Sequence, residues 1–250
     1  IVGNHLGIWR DTMVRFEGSA VHGLQNAFLT DWYFVESKLI TDKKYYPTPR
    51  HFENNIVQIV SSGPDTDWEN IMQGIVAMIH SAEKYIYNHT PYFLPTEPIL
   101  SALQIASLSG IDIRLMLPQR VDTKMIQLAT HSYLKHVLEA GIRVFFYQNN
   151  FLHSKAIVSD DYVSTIGTAN IDFRSYEQNF ELNAFVYDKE TGGKISFTYS
   201  NNTVTVGQNY KDIVVDYYYN YGNNYSVLTF GRALTNGYLS LEGKTRVKDD

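Results

Sequence analysis

The stretch YIYNHTPYFLPTEPILSALQIASLSGIDIRLMLP, residues 85–118, decides the fold. YIYNHT reads as a strand and PYFLPT as a loop, and the residues that follow read as a helix capped by Thr96 and stopped at Gly110. IDIRLMLP is then a second strand. Upstream, NIVQIVSS (55–62) reads as a strand, and Thr66 with Glu69 makes a capping box for a helix carrying Ile71, Met72, Ile75, Met78 and Ile79. Downstream, a helix from about Asp122 to Ala140 stops at Gly141, and the strand IRVFFYQ (142–148) follows. Strands and helices alternating in this way predict an α/β fold with a mixed, largely parallel sheet covered by helices. Ligands of such sheets usually bind beyond the carboxyl ends of the strands.

This regime runs from about residue 54 to 191. Before it, residues 1–53 read as a linking segment in which aromatic residues are interleaved with charge. Leu24, Phe28, Trp32 and Val35 recur at spacings of three and four, which predicts a helix over Val21 to Leu39. After Gly192 and Gly193 the composition changes. Eight of the 19 tyrosines and seven asparagines fall between Thr191 and Asp250, and no histidine does. KISFTYS, TVTV, DIVVDYYY and SVLTF alternate there with Asn- and Gly-rich turns, so residues 192–250 read as a β-rich appendage of hairpins without an assigned function.

A chain of 250 residues that is 44% hydrophobic can bury a substantial core. Its net charge of -5 supplies no positive field to gather phosphate backbones, which disfavours nucleic acid as a partner. The absence of cysteine excludes disulfides, thiol nucleophiles and thiolate metal sites. No apolar run reaches the roughly 18 to 20 residues of a membrane-spanning helix. The opening IVGNHLGIWRD has neither the basic nor the apolar region of a signal peptide, and it reads as mid-protein.

The chemistry is concentrated in HSKAIVSDDYVSTIGTAN, residues 153–170. His153 and Lys155 stand two apart, so on an extended segment they share one face. Asp160 and Asp161 fit a tight turn, and YVSTIG returns Thr168 and Asn170 towards the histidine. A proton-transferring or nucleophilic histidine, a lysine for a phosphate oxygen, and hydroxyl and amide groups to complete a cradle are the parts that phosphoryl transfer needs. Glu181, in NFELNAF, is the carboxylate expected to orient the histidine ring. An isolated H-x-K would be read as an ordinary strand histidine beside a solvated lysine, but here six positions agree with one pattern.

That pattern resembles the signature of the phospholipase D superfamily. With GIWRDTMVRFEG, TDWYF, PYFLPTEPILSAL, IRLMLP and FLHSKAIVSDDYVSTIGTANIDFRSYEQNFELNAF, the chain is similar to bacterial cardiolipin synthase over roughly Leu6 to Asp188. The resemblance implies transfer of a phosphatidyl group from one phosphatidylglycerol to the hydroxyl of another, through a phosphohistidine and with no metal or other cofactor. Family enzymes carry two signatures, and residues 153–170 match the second, so a catalytic half is expected upstream of Ile1. The resemblance makes His153 the general acid and base, with Lys155, Thr168 and Asn170 on phosphate oxygens and Glu181 on the histidine ring. Asp160 belongs to the signature and is carried among the catalytic residues, with turn stabilisation as its other reading. Met13 stands where the family often has histidine.

The partners implied are a phospholipid, a membrane surface, and either the missing half or a second copy of the chain. The resemblance places the work peripherally on the cytoplasmic face of a bacterial inner membrane. The alternative function is a one-motif phosphodiesterase or nuclease active only as a homodimer. A third reading, a silent binding module served by the β-rich tail, leaves the signature unexplained. His89 could line a lipid pocket, although local hydrogen bonding is the plainer reading; His131 and His136, five apart on one helix, are read as surface residues. Trp32, Tyr33 and Phe34 are read as core packing, with a bilayer interface as their other use.

Overall fold

Strands and helices alternate through the computed structural model, which describes residues 9–49, 55–148, 150–188, 194–200, 203–209, 214–220, 225–234 and 237–246. The Ile1–Tyr187 portion and the Asp188–Asp250 portion form two compact units. The first contains β1 (Trp9–Arg10), α1 (Val21–Glu36), β2 (Asn55–Ser62), α2 (Asn70–His80), β3 (Tyr85–His89), β4 (Phe93–Leu94) and α3 (Glu97–Leu108). It continues with β5 (Asp112–Pro118), α4 (Lys124–Glu139), β6 (Arg143–Tyr147), β7 (Phe151–Leu152), β8 (Ala156–Ser159), β9 (Val163–Gly167), β10 (Ile171–Asp172), α5 (Phe173–Glu177) and β11 (Glu181–Asp188).

Seven strands form the main sheet in the order β2-β11-β9-β8-β3-β5-β6. It is mixed: β3, β5 and β6, the strands joined through helices, pair in parallel as the alternation predicts. Pairing of β3 with β8, β8 with β9, and β9 with β11 is antiparallel. The cause is local: Asp160 and Asp161 both take left-handed φ values, 54° and 57°, and fold β8 directly back into β9.

Helices α2, α3 and α4 bury one face of this sheet. Ile71, Ile75 and Ile79 of α2, Ile99 and Leu103 of α3, and Val137 of α4 pack in one core with Ile86, Ile113, Leu115 and Leu117 of the parallel strands. Each such side chain, fully withdrawn from water, contributes about 2 kcal/mol. Gly110 and Gly141 stop α3 and α4 with φ of 97° and 89°, as their positions in the sequence predict.

Three local expectations are corrected. The Thr66–Glu69 capping box does not form: Thr66 Oγ1 closes the preceding turn on Gly63 O, and Ser62 Oγ accepts from Ile71 N at 3.0 Å at the start of α2. Thr96 holds the N-cap position of α3, but its hydroxyl is directed to Met72 Sδ instead of an amide. Trp32, Tyr33 and Phe34 are exposed, because α1 buries none of its residues and meets the sheet at Gly23, against Ile59.

The second unit consists of antiparallel strands, as its alternation predicts: β12 (Lys194–Ser200) pairs with β13 (Thr203–Asn209). β14 (Val214–Asn220), β15 (Tyr225–Leu234) and β16 (Gly237–Arg246) form a three-stranded sheet. The expected boundary at Gly192 and Gly193 lies outside the described residues. Among the described residues no helix is long and apolar enough to cross a membrane.

Candidate active site

His153 lies between β7 and β8, and its position is set by a strand 142 residues away in sequence. β1 pairs in parallel with β7, matching Trp9 with Phe151 and Arg10 with Leu152. Arg10 O then accepts from both His153 N (2.7 Å) and Ser154 N (3.1 Å). This register delivers Asp11 to the imidazole, with Oδ2 2.8 Å from His153 Nδ1. The Trp9 ring covers the imidazole at a centroid distance of 4.6 Å, and Phe151 approaches it at 5.8 Å.

Lys155 comes to the same place. Its Nζ donates to His153 O at 2.7 Å and lies 3.3 Å from each ring nitrogen. Burial pulls the lysine below its ordinary pKa, while the charges of Asp11, Glu181 and Asp172 oppose that shift. Partial burial works to raise the Asp11 carboxyl. Hydrogen bonds from His153 and the Thr12 amide, with the charges of His153 and Lys155, outweigh it and hold the carboxyl below its ordinary value.

The return strand brings the chain at Gly167 back to the lysine. Gly167 N donates to Lys155 O at 3.4 Å, which sets the turn of residues 168–170 beside the lysine. A Cβ on Gly167 would collide with Asn183 Oδ1 and Leu182 O, so only glycine permits this approach of β9 to β11. Asn170 is anchored through its backbone, N to Ser175 Oγ at 3.1 Å, and its side-chain oxygen is buried without a hydrogen-bond partner.

Three of the residues expected in the site are used differently. Thr168 is engaged by the neighbouring strand: its Oγ1 accepts from Leu182 N at 2.9 Å and its own N donates to Leu182 O, so it clasps β9 to β11. Glu181 does not hold the His153 ring, which Asp11 occupies. It accepts from Asn179 Nδ2 at 3.2 Å, with its charge near Lys155. Asp160 is at the far end of β8, where its carboxylate accepts from the amides of Glu83, Lys84 (2.9 Å) and Tyr85 (2.7 Å). Four residues of strand separate it from the histidine segment, roughly 13 Å of chain, so it anchors the turn.

Asp11 is the functional side chain that sequence reasoning missed. It lies in GIWRDT, one of the segments that carry the family resemblance, but only the pairing of β1 with β7 connects it to the histidine. His89 is half-buried at the end of β3, where burial and the charge of Arg10 pull its imidazole down to about 4. His131 and His136 are exposed on α4, as expected. Among the described residues no three His, Cys, Asp or Glu side chains come together as a metal ion would need.

The model of the family described as cardiolipin synthase, PLD-like domain matches residues 75–200, which include His153, Lys155 and Asn170. This chain belongs to that family. Members of known name are similar well beyond the signature. The cardiolipin synthase of Listeria monocytogenes is 42% identical over 191 residues, covering 76% of this chain and 40% of that protein. That of Geobacillus thermodenitrificans is 45% identical over 193 residues, 76% of this chain and 38% of that protein. The major cardiolipin synthase of Bacillus subtilis is 42% identical over 206 residues, 78% of this chain and 41% of that protein. The PLD-like chain described here therefore spans about two fifths of the length of these relatives.

Proposed function

We propose that this chain is the second-signature half of a cardiolipin-synthase-type phosphatidyltransferase, and that His153 is its proton-transfer group. The observation that carries this reading is the Asp11–His153–Lys155 cluster. A carboxylate bound at Nδ1 holds the neutral ring with its proton on that nitrogen, which leaves the Nε2 lone pair for exchange with an alcohol oxygen. The adjacent ammonium supplies the positive charge that a phosphoryl transition state requires.

The reaction balances with one further histidine, from the first-signature half. That histidine attacks phosphorus of one phosphatidylglycerol, and the bond to the departing glycerol oxygen breaks as protonated His153 gives up its proton. A second phosphatidylglycerol then loses its hydroxyl proton to His153 and attacks the same phosphorus. The phosphorus–nitrogen bond breaks, giving cardiolipin and regenerating the histidine. Asp11, from the stretch before the second signature, serves the second histidine, so Glu181, which follows that signature and has no histidine on it, is assigned to the first. The substrates imply peripheral work at the cytoplasmic face of a bacterial membrane.

The test supplies the chain with the first-signature half of a relative and with phosphatidylglycerol labelled at phosphorus, followed by an alkaline quench that preserves phosphohistidine. Label is expected on the supplied half. Label on His153 would overturn the assignment of roles. Turnover by the chain alone, lost in His153→Ala, would favour the homodimeric one-motif alternative.

A further inference from the structure

We infer that Thr12 and Ser154 are positioning residues: their hydroxyl-to-hydroxyl hydrogen bond locks the Asp11 strand end onto the histidine segment and so selects which nitrogen of His153 carries the proton. The inference rests on the reading of His153 as the proton-transfer group. Ser154 is the unspecified middle residue of H-x-K, to which the signature assigns no task.

The need for such a lock follows from exposure. The Asp11 side chain is 57% exposed, and an exposed pairing of a carboxylate with a histidine is worth only about 0–1 kcal/mol, too little to hold a ring in one orientation. The two bonds from His153 N and Ser154 N to Arg10 O fix the strand pairing but leave the Asp11 side chain free to turn. Thr12 removes that freedom. Its amide donates to Asp11 Oδ1 at 2.9 Å, so one carboxylate oxygen faces Thr12 while the other faces His153 Nδ1. Its hydroxyl lies 2.6 Å from Ser154 Oγ, which is fully buried. The histidine thus has two anchored neighbours, Asp11 held by the Thr12 amide and Ser154, next in the chain, held by the Thr12 hydroxyl. Removing either hydroxyl frees the Thr12 amide to swing and releases the carboxylate with it.

The readout is the tautomer of the neutral His153 ring, from nitrogen–proton correlation spectra of the chain labelled at histidine. In the parent chain the proton is expected on Nδ1. In Ser154→Ala and in Thr12→Val it is expected to move towards the Nε2–H form that dominates in free histidine, while Thr12→Ser keeps the parent spectrum. Circular dichroism monitors folding. Ser154→Ala, which deletes one oxygen, carries the test alone if Thr12→Val does not fold. An unchanged tautomer in Ser154→Ala would overturn the inference. Because the spectrum requires no turnover, a shifted tautomer in a chain that makes no product even with the first-signature half supplied would count against the proposed function and leave the lock itself standing.

Discussion

His153 Nδ1 and Asp11 Oδ2 lie 2.8 Å apart, joined across 142 residues by one two-residue pairing of strands. Asp11→Asn keeps the shape of this contact and removes its charge. With the first-signature half supplied, turnover is expected to fall on the order of 10²–10⁴-fold, the range associated with a misdirected general base. Glu181→Gln should leave the His153 ring spectrum unchanged, because Glu181 makes no hydrogen bond to that ring. A change of tautomer in Glu181→Gln would contradict the placement of Asp11 as the orienting carboxylate.

Asp160 is expected to act on stability. Its carboxylate takes three consecutive amides, and bonds to a charged acceptor are each worth about 1.5–3 kcal/mol. Some of that is recovered when water replaces it, so Asp160→Ala should lower the unfolding free energy in urea by roughly 2–4 kcal/mol. The His153 spectrum should be unaltered in the folded variant.

His89 makes stability depend on pH. Its folded pKa of about 4 lies below the ordinary 6.5, because burial and Arg10 disfavour the charged ring. Above pH 6.5 the ring is neutral in both states and contributes no pH dependence. Between 6.5 and about 4 the unfolded chain takes up a proton that the folded chain refuses, so stability is lost as pH falls. The slope is about 1.4 kcal/mol per pH unit. Urea unfolding of His89→Gln should lack this component; identical slopes for variant and parent would refute it.

Gly167→Ala should cost about 1–3 kcal/mol, because the added Cβ forces β9 from Asn183 and Leu182. The Thr168–Leu182 clasp lies next to it and should open as well. Faster hydrogen exchange at the Leu182 amide is the measurement, and unchanged protection would contradict the clasp.

What the sequence makes legible follows the range of the interactions. Helix ends at Gly110 and Gly141, the αβ alternation, and the reversal at Asp160 and Asp161 depend on neighbours within a few residues, and each is where the pattern places it. The nearness of His153 and Lys155 is equally local, being a consequence of spacing by two. Asp11 could not be found this way. Its pairing partner lies in another part of the chain, and Glu181 offered a plausible carboxylate nearer in sequence. Thr66 and Thr96 show a related failure, in that the hydroxyls found nearer or softer partners than the amides that the capping pattern assigns. For α1, periodicity finds the helix but not its environment, since Phe28, Trp32 and Val35 of its apolar stripe are exposed.

The most direct test of the central claim is cardiolipin formation from labelled phosphatidylglycerol by this chain together with a first-signature half, beside the same mixture carrying His153→Ala. The account predicts cardiolipin and glycerol from the parent mixture and loss of both from the variant. Equal product from the two mixtures would mean that His153 transfers no proton in this reaction, and would contradict it.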